Sequence, residues 1–77
     1  MNITTVGLDS AKNVFHMVGM DAQGKEQVKK RLSRGQVLKS FANLPCCLIG
    51  MEACASAHYF ARELIKLGHE VRLIPPQ

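Results

Sequence analysis

A chain of 77 residues, 47% hydrophobic and 21% charged, has room for one small domain and is too apolar for a disordered tail. Its net charge of +4, from ten Lys and Arg against six Asp and Glu, permits an anionic partner without identifying one. No apolar run approaches the roughly 20 residues of a membrane span, no basic-then-apolar leader opens the sequence, and three cysteines are an odd number for a disulfide framework. A cytoplasmic protein without a membrane partner is expected, with reduced and mostly buried thiols. Aromatic residues make up only 5% and Trp is absent, so the core has to rest on Val, Ile, Leu, Met and Ala.

Residues 3–9 alternate Ile3, Thr5 and Gly7 with Thr4, Val6 and Leu8, and their β-branched content predicts a strand ending at Asp9. A tight connection at Ser10–Lys12 leads to a second strand over Asn13–Met20. Asp21-Ala22-Gln23-Gly24 reads as a hairpin turn, with Gly24 free to take positive φ. The third strand, 25–32, is rich in Lys, Glu, Gln and Arg, a composition that suits a sheet edge. Ser33 with Gln36 three residues on fits a capping box, and Val37, Leu38 and Phe41 share one helical face. That helix is expected to end near Asn43, before Pro45. Cys46–Met51 is a continuous apolar run, the pattern of a strand covered on both faces. A second helix from Ser56 to Leu67 carries an apolar stripe of Ala57, Phe60, Ala61, Leu64 and Leu67, and Gly68 terminates it. Glu70–Ile74 forms the last strand, stopped by Pro75-Pro76.

The expected order is therefore β-β-β-α-β-α-β. Short turns make the first three strands an antiparallel meander, and right-handed helical crossovers place the last two parallel to the first. The result is an α/β protein with a mixed five-stranded sheet, the layout of the ribonuclease H-like fold.

In that layout Asp9 closes the first strand and Glu52 directly follows the fourth. Both acids then emerge at the carboxyl ends of parallel neighbours, where sites in open α/β sheets lie. Strands about 4.8 Å apart let two such side chains reach a common point, and carboxylates of this kind bridge the ions of two-metal phosphoryl-transfer sites. Hard Mg²⁺ favours carboxylate oxygen and keeps several waters. A simpler role is open to each acid. Glu52 stands just before a helix whose dipole suits its charge, and Asp9 can close a turn through its own side-chain hydrogen bonds.

Three blocks of residues resemble a known family in the right order and over essentially the whole chain. Val6-Gly7-Leu8-Asp9-Ser10-Ala11-Lys12 resembles the opening Asp motif of the DEDD transposases of the insertion-sequence-110 family. Ile49-Gly50-Met51-Glu52-Ala53-Cys54 with Ala57-His58-Tyr59 resembles the family's Glu motif, and Gly68 to Gln77 the strand that follows it. The resemblance implies an N-terminal, RuvC-like catalytic domain, incomplete over residues 1–77. Asp9 and Glu52 would be the first two of four acids binding Mg²⁺ (or Mn²⁺) for DNA strand cleavage and transfer, with the last two acids and a C-terminal domain lying further downstream. It also implies DNA as partner, and a guiding RNA has been associated with the family. Ser10 and Ala55 depart from the family pattern, which more often has an aliphatic residue and a glycine there; both are small and leave the acids in place.

Lys12, a turn after Asp9, is a candidate phosphate contact as a mobile point charge, or equally a solvated lysine in a hairpin turn. Lys25, Lys29, Lys30, Arg31 and Arg34 offer a basic stretch to a nucleic-acid backbone, though a protected edge strand is the simpler account. His16 is expected on the exposed face of the second strand, and His58 remains a helix residue. Cys46, Cys47 and Cys54 do not match zinc spacing and are expected in the core. An ATP-binding protein of the actin and sugar-kinase superfamily shares the fold, but the loop Ser10-Ala11-Lys12-Asn13 lacks the glycines that hold phosphates there. A catalytically inactive remnant that binds nucleic acid or self-associates through its open edge is the alternative of a different class.

Overall fold

The computed structural model describes residues 3–11, 13–54 and 57–75. Strands β1 (Thr5–Ala11), β2 (Val14–Met20) and β3 (Glu26–Ser33) come first, followed by a short 3₁₀ turn at Arg34–Gln36 that runs into helix α1 (Val37–Ala42). Strand β4 (Leu48–Glu52), helix α2 (Ala57–Lys66) and strand β5 (Glu70–Ile74) complete the chain. The strands form one sheet in the order β3-β2-β1-β4-β5. Tight turns make β1–β2 and β2–β3 antiparallel, and the two helical crossovers make β1–β4 and β4–β5 parallel.

Strand alternation sorts the side chains to two faces. Val6 and Leu8 of β1, Phe15 and Met17 of β2, Leu32 of β3, and Ile49 and Met51 of β4 turn to the helices and are buried. Val37 and Phe41 of α1 and Ala57, Phe60 and Leu64 of α2 meet them in one core. Phe15 and Phe60 close it with an edge-to-face contact, ring centroids 5.1 Å apart. The opposite face, with Gly7, Asp9, His16, Val18, Gly50 and Glu52, carries no helix among the described residues and is exposed or half-buried.

The β2–β3 turn is built on Asp21. Its Oδ1 accepts the backbone N–H of Gln23 at 3.0 Å and of Lys25 at 2.9 Å, and its Oδ2 accepts Gln27 Nε2 at 2.8 Å. Gly24 follows with φ 79°, a conformation that L side chains rarely adopt. At the start of the helical region, the Ser33 N–H donates to Gln36 Oε1 at 2.9 Å, the reach-back half of a capping box. The regular helix begins only at Val37, four residues later than Ser33, because Arg34–Gln36 wind more tightly.

Among the described residues, His69 is the buried polar residue of the core, 4% exposed. Its Nδ1 accepts the Cys47 N–H at 3.2 Å, and its Nε2 donates to the Phe41 carbonyl at 2.8 Å. One imidazole thus ties the end of α1, the approach to β4 and the approach to β5. The Phe41 carbonyl also accepts the Leu44 N–H at 3.2 Å, whereas His69 is the acceptor for the Cys47 N–H. The thiol of Cys47 is pushed up from its ordinary value by burial, with the neighbouring Cys46 adding to the effect.

Two outcomes are expected. His69→Leu keeps a side chain of similar size but strands the Cys47 N–H, so the urea unfolding free energy falls by about 1–3 kcal/mol. For Asp21, the Lys25 amide first, then Gln27, hold its carboxyl below the ordinary 3.8. A depressed folded value means that its stabilisation is full above the ordinary value and is lost as pH falls through the lower folded one. An acid titration of stability should therefore show a downward slope below pH 3.8 that is reduced in Asp21→Asn; an unchanged slope would remove Asp21 from the acid response.

Candidate functional site

The pairing of β1 with β4 runs Thr5 with Leu48, Val6 with Ile49, Gly7 with Gly50 and Leu8 with Met51. One step further along the same register brings Asp9 alongside Glu52. Asp9 has the parity of Thr5 and Gly7, and Glu52 that of Gly50, so both turn away from the helices. Both are exposed and line one open hollow of about 610 Å³ on the bare face of the sheet.

Glu52 is the last residue of β4, whereas Asp9 lies inside β1 rather than at its end. β1 continues to Ala11 because its hairpin with β2 pairs Asp9 with His16, Ser10 with Phe15 and Ala11 with Val14. The pairing to β2 thus outlasts the pairing to β4, and Asp9 is held on a rigid strand. His16 faces the same hollow as its partner Asp9, and Arg31 stands opposite His16 on β3. A cross-strand row of Arg31, His16, Asp9 and Glu52 results, one cation and one imidazole beside two carboxylates.

The floor between the acids and the strand beginnings is flat. Gly7 and Gly50 are paired; a Cβ at Gly7 would meet nothing within 4 Å, and one at Gly50 would meet only Ile74 Cδ1 at 3.6 Å. Val18 and Ile74 border this floor.

Chemically, two adjacent carboxylates on neighbouring strands offer hard oxygen donors, the type that Mg²⁺ or Mn²⁺ takes. Among the described residues no three His, Cys, Asp or Glu side chains converge closely enough to hold an ion between them. Asp9 and Glu52 therefore fit part of a hydrated ion's shell, with the other positions left to water or further groups.

Other residues singled out from the sequence fall elsewhere. Lys12 lies outside the described residues. Lys29 and Arg31 face the bare side of β3, opposite Val18 and His16. Arg34 leaves the basic stretch: its guanidinium stacks over the Phe60 ring at 5.1 Å. His58 is exposed on α2 and does not line the hollow. The expectation of mostly buried cysteines holds for Cys47 alone; Cys46 and Cys54 are exposed in the loops before and after β4. Cys54 Sγ lies 3.8 Å from Ser10 Oγ, joining the residues that follow the two acids. His16 at the site does not follow from the expected turn at Ser10–Lys12, which would set Asn13 opposite Asp9; the pairing of Ala11 with Val14 sets His16 there instead.

No family model matches the chain. Over all 77 residues it is 53% identical to a Pseudomonas aeruginosa protein named "Probable family 20 transposase". It is 43% identical over 76 residues to the "Transposase for insertion sequence element IS1328" of Yersinia enterocolitica, and 36% identical over 76 residues to the "Transposase for insertion sequence element IS1111A" of Coxiella burnetii. The chain covers 23%, 23% and 21% of these relatives respectively, so it corresponds to between a fifth and a quarter of proteins named as insertion-sequence transposases.

Proposed function

We propose that this chain is the opening part of a DEDD transposase domain of ribonuclease H-like, RuvC-like fold, and that Asp9 and Glu52 are its first two metal-binding acids, acting on DNA. The observation that carries this reading is that Asp9 and Glu52, each the next residue after the paired Leu8 and Met51, line one hollow on the open face, in a chain that matches proteins named transposases along its length. Bound Mg²⁺ or Mn²⁺ would supply Lewis-acid activation of a phosphodiester and of the attacking oxygen. The part played by this chain is to hold two carboxylates on paired strands, where neither has far to move as an ion arrives. The flat floor at Gly7 and Gly50 leaves a nucleic-acid backbone room to approach the acids. Lys29 and Arg31 lie on the same face and are placed to attract phosphate.

The lack of a third converging ligand among the described residues supports a second reading, in which the 77-residue chain by itself is an interaction module without catalysis. The two readings separate in one experiment. Mn²⁺ titrated into the isotopically labelled chain is expected to broaden amide signals around residues 7–10 and 50–53 selectively, and Asp9→Asn to abolish that selectivity. Uniform or absent broadening would leave only the interaction module.

In a full-length transposase carrying this stretch, Asp9→Asn or Glu52→Gln is expected to slow DNA strand cleavage by about 10²–10³-fold, the equivalent of several kcal/mol of transition-state stabilisation. Thermal unfolding should shift little, since both side chains are exposed. Normal cleavage by either variant would remove that residue from the site.

A further inference from the structure

The two edges of the sheet are built differently. β3 carries Glu26, Lys29, Lys30 and Arg31, all exposed. Two copies meeting along β3 would set cations against cations, which protects that edge. β5 carries one acid and one base, Glu70 and Arg72, exposed and within 3.4 Å of one another, and is otherwise Val71, Leu73 and Ile74.

The backbone of β5 has a defined outward side. Glu70 N–H donates to the Cys47 carbonyl at 3.1 Å, and the Ile74 carbonyl accepts the Ala53 N–H at 2.8 Å. Residues 70, 72 and 74 therefore turn their backbone groups to β4, and by alternation Val71 and Leu73 turn theirs to the open edge. Among the described residues no strand pairs there. Apolar side chains flank the edge above and below. Ile74, 55% exposed, lies at its end on the bare face. On the other face α2 packs against β5. Phe60 of α2 leans to Phe15 of β2, and Ile65, roughly 140° further round the same helix, is likewise 55% exposed.

We propose that this edge is a self-recognition surface, and that its occupant is β5 of a second copy of the chain, antiparallel and centred on Val71. In that register the two Val71 residues exchange backbone N–H···O=C bonds, and Glu70 of each copy stands directly opposite Arg72 of the other. The charge pattern of β5 is thus complementary to itself, and that of β3 is not. The pairing is isologous and uses up both β5 edges, so it closes at two copies; the outer edges that remain are the cationic β3 strands. Because cross-strand neighbours share a face of the sheet, the two-fold axis stands perpendicular to it. Both hollows then open on the same side of one continuous sheet. None of this depends on metal binding at Asp9 and Glu52.

Sedimentation velocity on the 77-residue chain from low to high micromolar concentration tests it. The expected result is a monomer–dimer equilibrium with no larger species. Glu70→Arg and Arg72→Glu each make the edge like-charged and are expected to raise the dimer dissociation constant at least about tenfold. An equimolar mixture of the two variants, Arg-bearing edge against Glu-bearing edge, should recover association. Both positions are exposed, and unchanged circular dichroism would certify the fold. A wild-type chain that stays monomeric, one that grows beyond two copies, or a mixture no tighter than its components would each overturn the proposal.

Discussion

The parallel pairing of β1 with β4 is the constraint on which the rest of the molecule depends. Val6 and Ile49 face each other in it with no exposed surface, each burial contributing roughly 1.5–3 kcal/mol. This contact joins residues about forty positions apart, so the chain must close that loop before the contact repays the entropy. The loop is not idle: β2 and β3 hang on β1 by tight turns, and α1 delivers β4 to the free side of β1. Once β4 is in place, α2 can carry β5 to the new edge. The same register decides where the acids go. A slip of one residue between these strands would turn one of them over, sending its acid into the core and its apolar neighbours out to water. The apolar alternation of Val6, Leu8, Ile49 and Met51 therefore positions the carboxylates as firmly as it forms the core.

This explains which features were legible in the sequence. Alternating strands, the Asp21–Gly24 turn, the apolar stripe of α2 and the polar character of β3 are all local patterns, and each element stands within a few residues of its expected place. Boundaries shifted where a neighbour decided them. β1 runs past Asp9 because β2 continues to pair with it, and α1 starts late because of the 3₁₀ turn. Side chains whose role depends on a distant partner were not legible. His69 looks like any histidine after a helix-terminating glycine, yet it accepts the Cys47 N–H and donates to Phe41, 28 residues away. Arg34 looks like one more cation in a basic run, and only the packing of α2 brings Phe60 beneath it. Cys46 and Cys54, expected in the core, are exposed in the loops beside β4, where Cys47 alone turns inward.

The unequal treatment of the two sheet faces is the remaining physical feature. One face is packed by both helices because the successive β1-α1-β4 and β4-α2-β5 units progress in one direction across the sheet, and right-handed crossovers then fall on one side. The other face has the half-polar composition of a surface that antiparallel sheets tolerate in water, with two apolar borders, Val18 and Ile74, beside its charged row.

At the centre of that face sit Gly7 and Gly50, paired across the two strands on which the fold depends. Glycine within a strand costs roughly 0.5–1 kcal/mol relative to alanine, and β-branched residues would favour this pairing more. Neither glycine has a positive φ, and neither is crowded: side chains would fit at both positions with little or no contact. Local structure therefore gives no reason for either glycine, and local stability argues against both. What the pair does accomplish is to keep the sheet surface bare on the strand side of Asp9 and Glu52. A molecule lying across β1 and β4 can come within contact of the backbone there while reaching both carboxylates. The stability forgone at the most important strand pair is intelligible if access to the acids along that floor is the property being kept.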